Sequence, residues 1–345
     1  MSDAPSSIRA YAALSQGSTP ELWQYEPRMP RADDVSIEIL YCGVCHSDIH
    51  FVENDWGMSE YPVVPGHEII GRVTAAGPDA GRFQVGDLVG VGCVVDSCRE
   101  CSSCDKGLEQ YCAGGVWTYN GVDRHDGKVT YGGYSERILV SERFVLSVPD
   151  QLDPAAAAPL LCAGITTYSP LRHVGVKAGD KVGVIGMGGL GHMGIKFAKA
   201  MGAEVTLFTR SESKVEEGKR HGVDHVVIST DEEQMQQAAG SLLHFGYGAG
   251  GARLQPLHQL LGRRRHAHAG RSVDSNRAST RSHGPNSRPP LHHGLRGGWY
   301  SRNPRDARFL CRARHFLRCG NDQDAGHWRS LREDEEGGCA LSLCD

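Results

Sequence analysis

The sequence predicts an α/β protein in three parts: a mostly β domain over residues 1–150, an α/β domain over 151–240, and an aberrant segment over 241–345. Three observations carry this. Short alternating strands separated by Gly and Pro fill the first part. A strand, a Gly-rich turn and a helix-like run follow one another from Asp180. Beyond Gly240 the composition changes abruptly: Lys and Ile vanish and Val survives only as Val273.

The chain has 345 residues and a net charge of −4, which implies an ordinary soluble surface with no global pull toward nucleic acid or membrane. Residues 1–17 lack the basic start and apolar core of a secretory signal, and no apolar run is long enough to span a bilayer. Twelve Cys in such a chain point to metal or catalysis rather than a disulfide scaffold, and a cytoplasmic location is expected.

Val35–Tyr41 alternates as a half-buried strand and delivers Cys45-His46-Ser47-Asp48 into the following loop. A second strand, Ile69–Gly77, places Gly66-His67-Glu68 just before it, and Val85–Val91 reads as a third with Gly86-Asp87 as a turn. Cys98, Cys101, Cys104 and Cys112 have the short spacers and longer return that close a tetrahedral Cys₄ shell, the preferred structural site of zinc. Cys45 and His67 are candidate ligands of a second site, though two such residues in separate loops can also be unrelated; Cys162, at the start of an apparent helix, is a third candidate that favours the metal reading. Catalytic zinc needs three protein ligands and an open fourth position, and Glu68 and Asp48 stand close enough in sequence to orient His67 or modulate the metal.

Together Cys45-His46-Ser47-Asp48, Gly66-His67-Glu68, the four-Cys lobe and Leu161–Tyr168 resemble the zinc-dependent medium-chain alcohol dehydrogenases, the type case of a Cys₂His catalytic zinc. Trp56-Gly57-Met58 and Gly92–Cys98 resemble the cinnamyl-alcohol-dehydrogenase branch. The resemblance implies a GroES-like catalytic domain and two zinc ions per chain. Cys45, His67 and Cys162, with Glu68 beside them, would hold the catalytic ion, and Cys98, Cys101, Cys104 and Cys112 the structural one. It further implies that Ser47 takes the alcohol proton and passes it toward His50. Trp56, Cys93 and Trp117 would line a pocket for bulky, aromatic aldehydes; plain core packing is the other reading of the tryptophans.

Asp180–Gly191 is a strand entering a turn in which Gly186, Gly188 and Gly191 fit G-x-G-x-x-G, with Gly189 and Leu190 between them, and Met193–Met201 is helix-like. This is the Rossmann fingerprint, whose glycines let the backbone approach a pyrophosphate at a helix N-terminus. Glu204–Phe208 is the next strand. Where an NAD site carries an acid, this chain has Thr209-Arg210-Ser211, with Lys214 one turn on. Those groups suit a 2′-phosphate, so the expected cofactor is NADP(H). Val226–Ile228 supplies a third strand, and Asp231–Gly240 a short amphipathic helix.

The last segment shows no strand or helix period and reads as disordered. Its Arg clusters allow a nucleic-acid-binding tail, but a one-base change of frame near Ser241 fits better. CGN and GGN codons read one base later begin with G, and the runs Leu242–Gly248, Leu261–Arg271 and Tyr300–Arg312 then all permit family-like sequence. The coding DNA decides this. On that reading the nucleotide domain lacks its last strands and keeps an open apolar edge. The family pairs its subunits through that edge, so this chain is not expected to dimerise that way. The class of enzyme expected acts on alcohols and aldehydes. On this reading, though, this exact chain is expected to be unstable or inactive while its intact parent is an enzyme; an inactive, zinc-stabilised remnant is the alternative.

Overall fold

A computed structural model describes residues 7–238, 243–246 and 266–268. The described chain divides into two compact units, one running to Ile165 and one starting at Thr166. The first unit therefore extends past Asp150, because the short helix α3 (Pro154–Ala157) packs on strands of the first sheet.

In the first unit a hairpin, β1 (Ile8–Ala12) with β2 (Glu21–Tyr25), precedes β3 (Asp34–Cys42), helix α1 (His46–Glu53), β4 (Ile69–Ala76) and β5 (Leu88–Val91). Next come β6 (Val94–Asp96), helix α2 (Ser102–Asp105), β7 (Val116–Trp117), β8 (Arg137–Ser141) and β9 (Val145–Ser147). The main sheet is antiparallel in the order β8-β3-β4-β5-β9. Val35, Ile37, Ile69, Val73, Val89 and Val91 alternate onto its inner face and form a core cluster with Phe144. The third strand begins at Leu88, not at the expected Val85. Gly86 has φ +98° and turns the chain, leaving Val85 exposed.

The second unit opens on α4 (Ala163–His173), whose first residues belong to the first unit, and alternates strand and helix. The elements are β10 (Lys181–Ile185), α5 (Gly189–Ala200), β11 (Glu204–Thr209), α6 (Ser213–Arg220), β12 (His225–Ile228) and α7 (Glu232–Gln237). β10, β11 and β12 pair in parallel, with Val182, Val184, Val205 and Leu207 fully buried, as a two-faced sheet requires. Asp231 caps α7, its carboxylate accepting from the Glu233 and Gln234 amides.

One expectation fails here. β13 (Leu243–Gly246) pairs in parallel with the free edge of β10, and β14 (His266–His268) pairs with β13. The sheet order is β12-β11-β10-β13-β14, so strands do follow Gly240 and β10 is not an open edge. The physical reason is that ladder bonds are made by the backbone. An edge of unpaired N–H and C=O groups accepts extended chain whatever its side chains. The disorder expected elsewhere in 241–345, and the runs through Tyr300–Arg312 on which the frame change rests, lie outside the described residues. Among the described residues no helix is long and apolar enough to cross a membrane.

Candidate metal centres and nucleotide site

The loop after β3 starts α1, and Cys45 is its N-cap. Asp48, fully buried three residues on, accepts from the Cys45 amide at 2.9 Å and from the Gly66 amide at 3.1 Å. The Tyr134 hydroxyl also donates to it at 3.2 Å. One carboxylate thus binds the loop holding Cys45 to the loop holding His67, and its Oδ1 lies 3.5 Å from His67 Nδ1. Gly66 makes the approach possible. It has φ +101°, and a Cβ there would meet Cys42 Sγ at 2.7 Å and the Gly133 amide at 2.9 Å.

Cys162 ends a 3₁₀ turn immediately before α4. Its sulfur stands 3.8 Å from that of Cys45, and donor atoms of Cys45, His67, Glu68 and Cys162 all lie within 4.8 Å of one another. His67 Nε2 is buried and has no hydrogen-bond partner. Two sulfurs on a tetrahedral ion with Zn–S near 2.3 Å stand about 3.8 Å apart, so the spacing fits zinc. The hydrogen bond with Cys162 and burial hold the Cys45 thiol well above its ordinary range. At Cys162 the bond from Cys45 pulls down, but Cys93 and burial outweigh it, leaving the thiol at about 12. Burial pushes the Glu68 carboxyl up to about 8, although the Ala163 amide donates to it. Such donors are reluctant to ionise alone and need a cation to do so.

The second sulfur set is local. Cys98, Cys101, Cys104 and Cys112 have sulfurs all within 4.8 Å of one another, with Cys98 and Cys104 3.8 Å apart and Cys101 and Cys104 3.6 Å apart. The Cys104 amide and the Cys98 thiol pull Cys101 down to about 6, while burial pushes Cys112 up to about 12. Ion pairs tie this lobe to the sheet. Arg99 bonds Asp33 at 2.8 Å and Asp96 at 3.1 Å, and Arg31 binds Asp123 and reaches Asp96. Arg28 grips the buried Asp34 at 2.5 Å. No sequence spacing announced this network; its members come from three separate segments, 28–34, 96–99 and Asp123.

The other residues singled out from sequence fall as follows. Ser47 and His50 stand one turn apart on α1, and His50 Nδ1 is held by Asp55 at 2.6 Å. Trp56 is half-buried against Phe51 and His50. Cys93 is buried, and the neighbouring Cys162 acts on its thiol. Trp117 packs against the main core cluster. Tyr119 and Tyr134, absent from the sequence reading, pack around His67 and Asp48. The Trp117–Tyr119 spacing was a faint signal for the first, and nothing marked the second.

In the second unit Gly186 has φ +79°, Gly188 is the N-cap of α5, and Gly189, Leu190 and Gly191 form its first turn. A Cβ on Gly191 would lie 2.1 Å from the Gly186 carbonyl, so turn and helix can close only on glycine. β11 ends at Thr209, whose hydroxyl accepts from the Ser211 amide at 3.2 Å, and Arg210 is exposed. Lys214 is already paired with Glu217 at 2.7 Å.

Comparison with known proteins agrees with this geometry. Residues 31–150 match the alcohol dehydrogenase GroES-like domain and residues 189–252 the zinc-binding dehydrogenase model. A probable mannitol dehydrogenase of Fragaria ananassa is 54% identical over 61% of this chain and 58% of its own length. An NADP-dependent alcohol dehydrogenase of Mycolicibacterium smegmatis is 53% identical over 68% of each chain. Among solved structures, a cinnamyl alcohol dehydrogenase of Sorghum bicolor superposes with a TM-score of 0.74 at 42% identity, over 77% of this chain and 76% of that one. The chain thus spans 58% to 68% of the length of these two curated relatives. With its two sulfur sets and its glycine turn in place, the chain belongs to the zinc-dependent medium-chain alcohol dehydrogenases.

Proposed function

We propose that this chain interconverts alcohols and aldehydes with NADP(H), and that its physiological substrates are bulky and aromatic. The observation that carries the reading is the buried trio Cys45, His67 and Cys162, with a sulfur–sulfur edge matching tetrahedral zinc and a bare imidazole nitrogen. Bound there, zinc supplies Lewis-acid polarisation of the substrate oxygen, and the nicotinamide supplies or accepts the hydride. Ser47 exchanges the proton of the alcohol. His50, one turn along α1 with one nitrogen fixed by Asp55, has Nε2 left to take that proton on. Asp48 keeps the Cys45 and His67 loops in register.

Cys98, Cys101, Cys104 and Cys112 hold the second zinc. The α5 N-terminus takes the pyrophosphate. Thr209, Arg210 and Ser211 accept a 2′-phosphate, which competes with Glu217 for Lys214. Trp56, Cys93 and Trp117 shape the substrate side, in keeping with the name of the Sorghum relative. A cytosolic setting, where thiols stay reduced, belongs to the same proposal.

Purified chain, carrying two zinc ions, is expected to oxidise NADPH on addition of cinnamaldehyde. Ser47→Ala is expected to lower kcat about 100-fold with zinc content unchanged. Two bound zinc ions with no NADPH oxidation on any aldehyde would identify a remnant instead. That reading has less support, since ligand donors, proton relay and glycine turn are all retained.

A further inference from the structure

His67 is incompletely held by its hydrogen bonds. Its Nδ1 stands 3.5 Å from Asp48, well beyond a usual N–H···O length of about 2.9 Å, and its Nε2 has no partner. So long a contact does little by itself to fix the plane of the ring. A metal ligand cannot tolerate this, because the nitrogen lone pair lies in that plane and must point at the ion.

The plane is set by something else. Tyr119, 3% exposed, lies parallel to the imidazole in an offset stack, centroids 5.5 Å apart and planes within 14°. Phe51 abuts Tyr119 edge-on at 5.0 Å, Trp56 abuts Phe51 at 5.0 Å, and His50 lies 5.1 Å from Trp56. An unbroken row of rings therefore runs from the proton-relay histidine to the metal-ligand histidine. The backbone on either side of Tyr119 is clamped. The Thr118 amide donates to the Cys93 carbonyl at 2.9 Å, and the Asn120 side chain exchanges bonds with the Glu60 backbone at 2.7 and 3.0 Å. The Tyr119 hydroxyl is buried and has no hydrogen-bond partner, so it is the ring face that makes the contact.

We propose that Tyr119 is a positioning residue whose ring face fixes the plane of the His67 imidazole, directing Nε2 at the Cys45 and Cys162 sulfurs. The inference rests on His67 being a zinc ligand. Loss of the stack lets the ring tilt without removing any ligand, which weakens the metal site while leaving its donor set intact.

The test uses the full chain loaded with cobalt(II), whose visible ligand-field bands report coordination geometry. Tyr119→Phe is expected to match the parent. Tyr119→Leu, with Tyr119→Met as a second unstacked side chain, is expected to shift and weaken those bands and to release one ion to a chelator about tenfold faster, the size usual for partners behind a ligand. Val63→Ala, in the same apolar cluster, controls for packing and should lower Tm with an unchanged spectrum. Parental spectra in both unstacked variants, or an equal spectral change in Val63→Ala, would overturn the inference. A parental spectrum in His67→Ala would overturn the ligand reading beneath it.

Discussion

The two sulfur clusters of this protein offer the same metal the same 3.8 Å edge and are built in opposite ways. Cys98, Cys101, Cys104 and Cys112 come from one short loop with a helix of four residues and almost no core of its own. Cys45, His67 and Cys162 come from three loops of a folded sheet, already held by Asp48 and by the 3₁₀ turn before α4. On the proposed assignment, a metal in the first cluster would make the structure, whereas in the second the fold already makes the site. The comparison separates two uses of a metal: binding energy directed into folding of a loop, and chemistry in a site the fold has already built.

The largest effect should come from breaking the lobe. Cys98→Ser is expected to leave one zinc per chain and open the loop to protease, forfeiting metal-coupled folding energy on the order of 10 kcal/mol locally. Cys45→Ser should also leave one zinc, yet keep Tm within a few degrees while turnover disappears. Zinc content, limited proteolysis and thermal melts read all of this. Equal melts for the two variants would break the comparison.

A smaller effect should come from the ion pairs that moor the lobe. Asp123→Asn takes from the Arg31 guanidinium its nearer carboxylate, leaving only Asp96 at 3.7 Å, and is expected to cost about 2–3 kcal/mol in urea unfolding. Burial raises the Asp123 carboxyl, but the bonds and charges of Arg31 and Arg28 outweigh it and hold it below the usual carboxylate range. Its contribution is therefore present above about pH 4 and fades as pH falls through the lower folded value, so the variant should lose that part of the acid sensitivity.

The smallest expected effect lies outside both clusters. Burial, then Lys196 and His221, push His192 down to about 4. Below about pH 6.5 the unfolded chain takes a proton that the folded chain refuses, so stability should fall as pH drops toward 4. The loss is about 1–2 kcal/mol after allowance for the partly exposed ring. Urea midpoints across this range should flatten in His192→Asn and keep their slope in both cysteine variants. A slope that vanishes with Cys98→Ser would trace the effect to the lobe instead.

How much of this could be read from the chain depended on distance along it. The C-x-x-C spacers marked the lobe, and strand, turn and helix in order marked the glycine site, because both are local arrangements whose geometry a few neighbouring residues dictate. Val35–Tyr41 and Ile69–Gly77 were legible as strands for the same reason. Cys162 stood out in the sequence only as a candidate third ligand by residue type, since its approach to Cys45 depends on a fold spanning more than a hundred residues. β13 and β14 escaped because pairing by backbone leaves no mark in side-chain pattern.

Sequence by itself determined the donor types, the lobe and the cofactor turn of this dehydrogenase, each set by contacts between near neighbours. Tertiary structure alone decided the rest. It made Asp48 the tie between two loops, laid Tyr119 on His67, and moored the lobe through Arg31 and Asp123. Those choices belong to packing, where residues far apart in the chain meet only because a common core has brought them together.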